Sequence, residues 1–429
     1  MKKPHTNTIL LLLLMAMIPF KVWGQDKPLL ADNNVMVEVR GHASIFWHHH
    51  FEMQRFNARF PAIEASIYMS TYGRQEWETA YNYPYLGFTF YHANYGVNFE
   101  GKPEIGDALG SVFAVYPFIN YPLASGKTSQ LTFKFGVGLG YLTRCFHNLD
   151  NHYNFSIGSH VNAAVNLSFE YRQRFTPRLM MVASFGLTHF SNGSTKLPNY
   201  GINTFSGALG LAYNLRNPRT TYLPVSRPDY TPFEFDNKHW LSLDLNYGIG
   251  FKNVSQTLGG DSTQYYHVHD LSAYLLGQFT PYSRAGLGFS MVLDLSDQTL
   301  PDHYVDEHGI HVKKYDPTSQ QQVVYDISAL QMTKFNLGLC YVMTMNRLSY
   351  YFEFGWHLKL NRFIDMSKGN IYQKLSFRLQ VYDNVFVNAS LMTHFGRADY
   401  LTFGLGYRIN QKYYLNHEKG TRHHSPGLH

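Results

Sequence analysis

The feature that most constrains this chain is a two-residue alternation of side-chain character that recurs along almost its whole length. Eight such segments lie near 36–46, 60–70, 83–95, 108–119, 129–144, 158–172, 177–191 and 203–215. Eight more lie near 239–250, 267–279, 283–295, 329–343, 347–360, 371–382, 384–395 and 399–410. Successive strand side chains point to opposite faces, so each segment offers one apolar face and one mixed face. After the N-terminus no apolar run reaches the roughly 20 residues that a membrane-spanning helix needs. A bilayer admits only helices and closed sheets, because every backbone N–H and C=O must be paired within the protein. The pattern therefore predicts an all-β chain, an antiparallel transmembrane β-barrel of the outer membrane. A soluble β-sandwich shows similar alternation. It ranks second because 16% of residues are aromatic, with 33 Tyr and 32 Phe, and only 15% are charged. The same figures exclude a disordered chain. Two cysteines cannot staple 429 residues, so Cys145 and Cys340 read as free buried thiols. The net charge of +6 is spread thinly with no basic run, so no nucleic-acid partner is expected.

Lys2 and Lys3 precede an apolar stretch from Ile9 to Phe20, and Val22 and Gly24 stand before Gln25. This predicts a secretory signal over 1–24, which carries the chain out of the cytoplasm. The remainder divides into a barrel half over 25–215, a linker or long periplasmic turn over 216–238, a second half over 239–410, and a disordered tail over 411–429. Pro218, Pro224, Pro228 and Pro232 mark the linker, since proline cannot donate within a sheet. An even strand count returns the chain to the periplasmic side before the linker. Two arrangements satisfy this: one barrel of about sixteen strands, or two eight-stranded units. The habit of one chain closing one barrel tips the expectation slightly to the first, although the linker length argues for the second.

The clearest alternation runs from Arg178 to Ser191. Leu179, Met181, Ala183, Phe185 and Leu187 form an apolar series that fits lipid. His189 and Ser191 continue that same series. On the next strand Asn203 heads a series of Phe205, Gly207, Leu209, Leu211 and Tyr213. Three polar side chains thus converge on the lipid-facing wall near its extracellular end, where polar groups are costly and tend to be functional. Cα atoms two apart on a strand are about 6.6 Å apart, which an imidazole can bridge to a hydroxyl. Serine is a weak nucleophile until a base takes its proton, and His189 is placed to do so. The Asn203 side-chain carbonyl can fix the imidazole tautomer, as in Cys-His-Asn sites. The Asn192 side chain and the backbone N–H groups around Gly193 and Ser194 are the candidate oxyanion donors. His-x-Ser alone is weak in a chain with 22 His; the full string His-x-Ser-Asn-Gly, a loop, then Asn is far more specific. Neither a metal nor any other cofactor is expected for the chemistry.

These residues resemble known families. His189-Phe190-Ser191-Asn192, then Pro198-Asn199-Tyr200-Gly201 and a Gly-rich strand, is similar to the outer-membrane lipid A 3-O-deacylase (acyloxyacyl hydrolase-like) family. The resemblance spans about 36–215 in architecture and 187–215 in motif. It implies a His189 base, a Ser191 nucleophile, Asn192 in the oxyanion hole, loop support from Asn199 and Gly201, and lipid A as substrate. That family has Glu where this chain has Asn203. Asn at this position resembles instead the outer-membrane phospholipase A family, which implies a phospholipid substrate, calcium dependence and a homodimer. The run from Ser194 to Gly201 lacks that family's Arg- and Ser-rich loop, which favours the deacylase. A non-enzymatic porin or structural barrel is the remaining alternative.

A faint echo occurs in the second half, where Met392-Thr393-His394-Phe395-Gly396 resembles Leu187-Thr188-His189-Phe190-Ser191. Its apolar face is Val385, Val387, Ala389 and Leu391, which puts His394 on the opposite face, and glycine replaces the serine. The second half is therefore expected to lack a catalytic serine. His48-His49-His50 reads as a loop at the membrane surface, and the acidic and His-rich run Asp302, His303, Asp306, Glu307, His308 and His311 as a solvated extracellular loop, rather than as metal sites.

Overall fold

The computed structural model describes residues 35–409, apart from 48–55, 57–58, 72–75, 96–107, 153, 216–239, 256–262, 281, 300–303, 306–310, 313–327, 359–369 and 395–396. The signal, the linker, the tail and His48–His50 fall outside the described residues, as does the 302–311 run except for His311.

The first eight strands are β1 (Val35–Phe46), β2 (Arg59–Ser70), β3 (Tyr85–Asn94), β4 (Ser111–Ser125), β5 (Ser129–Leu142), β6 (Val161–Arg174), β7 (Leu179–Ser191) and β8 (Ile202–Asn214). They close antiparallel, with β8 returning to β1 through Asn214 opposite Met36. A second closed barrel follows: β9 (Leu241–Ser255), β10 (Thr263–Thr280), β11 (Ser283–Asp294), β14 (Thr333–Met345), β15 (Leu348–Leu358), β16 (Ile371–Tyr382), β17 (Val385–His394) and β18 (Arg397–Ile409). Here β18 returns to β9, with Arg408 opposite Asp244. Two short strands between β11 and β14, β12 (Tyr304–Val305) and β13 (His311–Val312), form their own ladder. A five-residue helix, α1 (Glu76–Ala80), follows β2. No described helix is long and apolar enough to cross a membrane. The slight expectation of a single barrel is corrected: β8 closes on β1 and β18 on β9, so the chain adopts the tandem of two eight-stranded units. Each half leaves no unpaired edge once its last strand meets its first, which is what a lipid environment demands.

The alternation sorts side chains as the barrel wall requires. On β7 Val182, Thr188 and Phe190 point inward and are buried, while Phe185 is exposed on the outer face. An eight-stranded barrel has an interior that side chains can fill. In the first barrel Arg40, Lys134 and Arg172 face Glu38, Glu64 and Glu170, with Arg40–Glu170 at 2.6 Å and Arg172–Glu170 at 2.7 Å. In the second barrel Asp244 gathers Arg284, Arg378 and Arg408, and Asp270 pairs with Lys374 at 2.6 Å. Such paired, buried charges fill the interiors of both barrels among the described residues, as the interior of an eight-stranded barrel allows. Cys340 is buried in β14. Cys145 departs from expectation: β5 ends at Leu142, so this thiol lies in a loop and is only half-buried, with Sγ 3.5 Å from His160 Nε2.

The barrels touch at both ends. At the short-turn end Tyr81 Oη–H donates to the Tyr282 carbonyl at 3.0 Å, and Trp77, Ile119 and Met345 pack together. Between the walls Phe135 of β5 stacks on Phe377 of β16 with centroids 6.2 Å apart. At the long-loop end the β7–β8 loop meets the rim of the second barrel.

Candidate active site at the rim of the first barrel

His189 near the end of β7 stands directly opposite Asn203 near the start of β8. The His189 Nδ1–H donates to Asn203 Oδ1 at 2.6 Å. This bond selects the tautomer whose Nε2 lone pair is available as a base. Ser191, the last residue of β7, lies two positions on and opposite Ala163 of β6. Its Oγ accepts the Asn199 Nδ2–H at 3.1 Å and the Gly193 N–H at 3.2 Å. Among the described residues these are its hydrogen-bond partners, so His189 and Asn203 are joined while Ser191 is held by the loop. The sequence points to Asn199 only as loop support. Its direct contact with the serine is invisible to strand periodicity, because Asn199 sits on an irregular segment.

The loop begins with a tight turn. Thr195 N–H donates to the Asn192 carbonyl at 3.2 Å, and the two central residues, Gly193 and Ser194, have φ of 64° and 63°. Left-handed conformation at both positions defines a type I′ turn, which glycine enters without a Cβ penalty. Asn192 N–H donates to Asn199 Oδ1 at 3.1 Å. The Asn192 side-chain amide donates to Ser159 Oγ at 2.9 Å and to the Lys196 carbonyl at 2.7 Å. Its two protons are thus taken up, one by the segment before β6 and one within the loop, and its buried Oδ1 has no partner among the described residues. In this state the backbone N–H of Gly193 is the donor aimed at the serine.

Gly201 closes the loop at φ 77°, with its N–H on the Ser156 carbonyl at 2.9 Å. A Cβ there would lie 2.8 Å from His189 Cε1. The imidazole therefore rests against a position that tolerates no side chain. On the roles that the resemblance implies, Gly201→Ala should displace the ring and lower ester hydrolysis about a hundredfold, the cost of shifting a reacting group by about 1 Å. Turnover of the purified variant measures this; a rate within twofold of the parent would show that the ring needs no such seat.

The echo in the second barrel is built differently. His394 points into the lumen, its Nε2 2.8 Å from His357 Nε2, and His357 Nδ1 lies 2.6 Å from Asn336 Oδ1. Among the described residues no group of three His, Cys, Asp or Glu is arranged to hold a metal ion.

A closed barrel pair of this kind defines an outer-membrane protein, and the family matches define its class as a hydrolase. The family model described as lipid A 3-O-deacylase (PagL) matches residues 62–212, which include the whole His189–Asn203 segment. The model described as acyloxyacyl hydrolase, C-terminal domain, matches 241–411, the second barrel. The chain belongs to the lipid A 3-O-deacylase family, and its activity class is that of an outer-membrane lipid A deacylase. No curated protein matches the chain. Among solved structures, the outer-membrane enzyme PagL is 15% identical, covering 40% of this chain and 97% of its own at a TM-score of 0.29. Neisserial surface protein A is 7% identical, covering 42% and 96%, also at 0.29. The N-terminal barrel domain of Pseudomonas aeruginosa OprF is 12% identical, covering 42% and 98%, at 0.24.

Proposed function

We propose that the first barrel carries the hydrolase site and removes an ester-linked acyl chain from lipid A through an acyl-enzyme, with Ser191 as nucleophile, His189 as base and Asn203 as its orienting partner. The observation that carries this reading is the 2.6 Å His189–Asn203 pair on the outer wall, with Ser191 next on the same face. Ser191 Oγ first turns from Asn199 towards His189 Nε2. It then attacks the ester carbonyl carbon while its proton passes to Nε2. Charge developing on the carbonyl oxygen meets N–H donors of the Asn192–Gly193–Ser194 turn; one such donor is worth about a hundred- to a thousandfold in rate. Collapse breaks the carbon–oxygen bond to the sugar, whose oxygen takes the proton from His189. Water, deprotonated by the same imidazole, attacks the acyl-enzyme and releases the fatty acid and free Ser191.

Asn203 is neutral, so it holds the tautomer without compensating the imidazolium charge as a carboxylate would. Placing the site on the lipid wall lets the ester reach it without leaving the bilayer. In this reading the second barrel has no catalytic serine.

Mass spectrometry of lipid A and phospholipids from cells making the full chain tests the substrate. Lipid A lighter by one ester-linked chain, with phospholipids unchanged, is the expected result. Lysophospholipid with intact lipid A would move the activity to a phospholipase. No change in either pool, with the barrels inserted, would leave a structural protein.

A further inference from the structure

The loop that carries the serine's partners is not held by the first barrel alone. Asn253, near the rim end of β9, donates its backbone N–H to the Ser194 carbonyl at 3.0 Å. Its side-chain Oδ1 accepts the Leu197 N–H at 3.2 Å. Ser194 Oγ–H donates to the carbonyl of Ala398, at the start of β18, at 2.8 Å. A Cβ on Gly193 would lie 3.4 Å from Leu401 Cβ and 3.8 Å from Leu391 Cδ1, so the turn also rests on the apolar wall of β17 and β18. Both central residues of the type I′ turn therefore abut the second barrel.

The docking rim is itself braced. Lys252 precedes Asn253 and Asp399 follows Ala398, and these two neighbours form a buried ion pair at 2.7 Å inside the second barrel. Lys252 also pairs with Asp294 at 2.9 Å. Each docking residue is thus adjacent in sequence to a residue locked into the lumen. Asn253 is 2% exposed, so its bond to Leu197 is shielded from competing solvent.

We propose that Asn253 is a positioning residue for the hydrolysis, and that the second barrel completes the active site by clamping the turn that presents N–H donors to Ser191. This rests on the site reading above. The hydrogen-bonded clamp fixes where the Gly193 N–H points. Oxyanion donors act only if they are aimed before charge develops. A turn released on one side keeps its contacts to Ser159 and Lys196 but loses that aim. The loss falls on the transition state and not on ground-state binding of lipid A, so it belongs in kcat.

The test uses the full chain, purified in detergent and assayed on lipid A, as wild type, Asn253→Ala, Asn253→Asp, Ser194→Ala and Ser191→Ala. Heat-modifiable migration on gels reports whether each barrel is folded. Asn253→Ala should lower kcat between about tenfold and a hundredfold, the range expected for misplacing a reacting group by up to about 1 Å, with KM within twofold. Asn253→Asp keeps an acceptor oxygen for the Leu197 N–H and should recover turnover to within about threefold; a merely structural role would not separate kcat from KM in this way. Should Asn253→Ala fail to fold, Ser194→Ala removes the bond to Ala398 from the first-barrel side and should show the same kcat loss. Unchanged kcat in folded Asn253→Ala or Ser194→Ala, beside an inactive Ser191→Ala, overturns the clamp and leaves the site standing. Full activity in Ser191→Ala overturns the site and the clamp together.

Discussion

Ser191→Ala should lower kcat for lipid A deacylation at least about ten-thousandfold, leaving only the small residue that oxyanion donors and binding supply without a nucleophile. The size follows from the geometry. Alanine removes the hydroxyl that stands two positions from His189 along β7, on the same face as the His189–Asn203 pair. The fold should not change, because Ser191 Oγ serves only as a partner for Asn199 and Gly193 at the strand end. His189→Ala should fall to nearly the same floor, since nucleophile and base act as a unit and their losses do not add. Single-turnover assays on protein with intact heat-modifiable migration provide the measurement. Turnover within tenfold of wild type in either variant would remove the acyl-enzyme route.

The second large effect is on stability. Asp244→Ala should prevent the second barrel from reaching its heat-resistant form. Asp244 Oδ1 and Oδ2 accept from Arg408 at 2.8 and 3.0 Å, Arg378 lies 3.3 Å away and Arg284 3.7 Å away, and Tyr351 Oη–H donates to the same carboxylate. All these groups are buried. Removing the carboxylate takes away the negative charge that these three guanidinium groups share. Breaking a single buried pair costs about 3–5 kcal/mol, a large share of the roughly 5–15 kcal/mol that holds a domain folded. Asp244→Asn keeps an acceptor but not the charge and should fall between. Gel migration after graded heating ranks the three proteins; equal melting would show that the arginines find other partners. Because the second barrel clamps the Ser194 turn, Asp244→Ala should also lose deacylation despite an intact His189, Ser191 and Asn203.

Much of this was legible in the residues because a strand's period is local. Each barrel strand overlaps a segment that the alternation marked, and β16 coincides with 371–382. The same period assigns faces, which is why His189 and Asn203 can be placed on one wall from spacing alone. It also places His394 in the opposite sense, and that residue is in the lumen. Closure is a different kind of fact. Alternation says that a strand has two edges and not which strand will meet them, so one barrel and two were equally compatible with the pattern. The loop contacts were likewise hidden. Asn199 reaches Ser191 because a type I′ turn folds the chain back, and Asn192 spends its amide on Ser159 and Lys196 for the same reason. Such contacts depend on turn geometry that no period encodes.

The sequence by itself therefore determined an all-β wall, its lipid and lumen faces, and a His, a Ser and an Asn at adjoining outward positions, because each is set within one or two strands. Only the tertiary structure decided that the wall closes twice, that ion pairs fill both interiors, and that Asn253 and Ala398, distant in the chain, meet the turn beside Ser191. Those outcomes depend on which edges and rims come together in space, and that is settled by long-range pairing of backbone groups and buried charges rather than by any local preference.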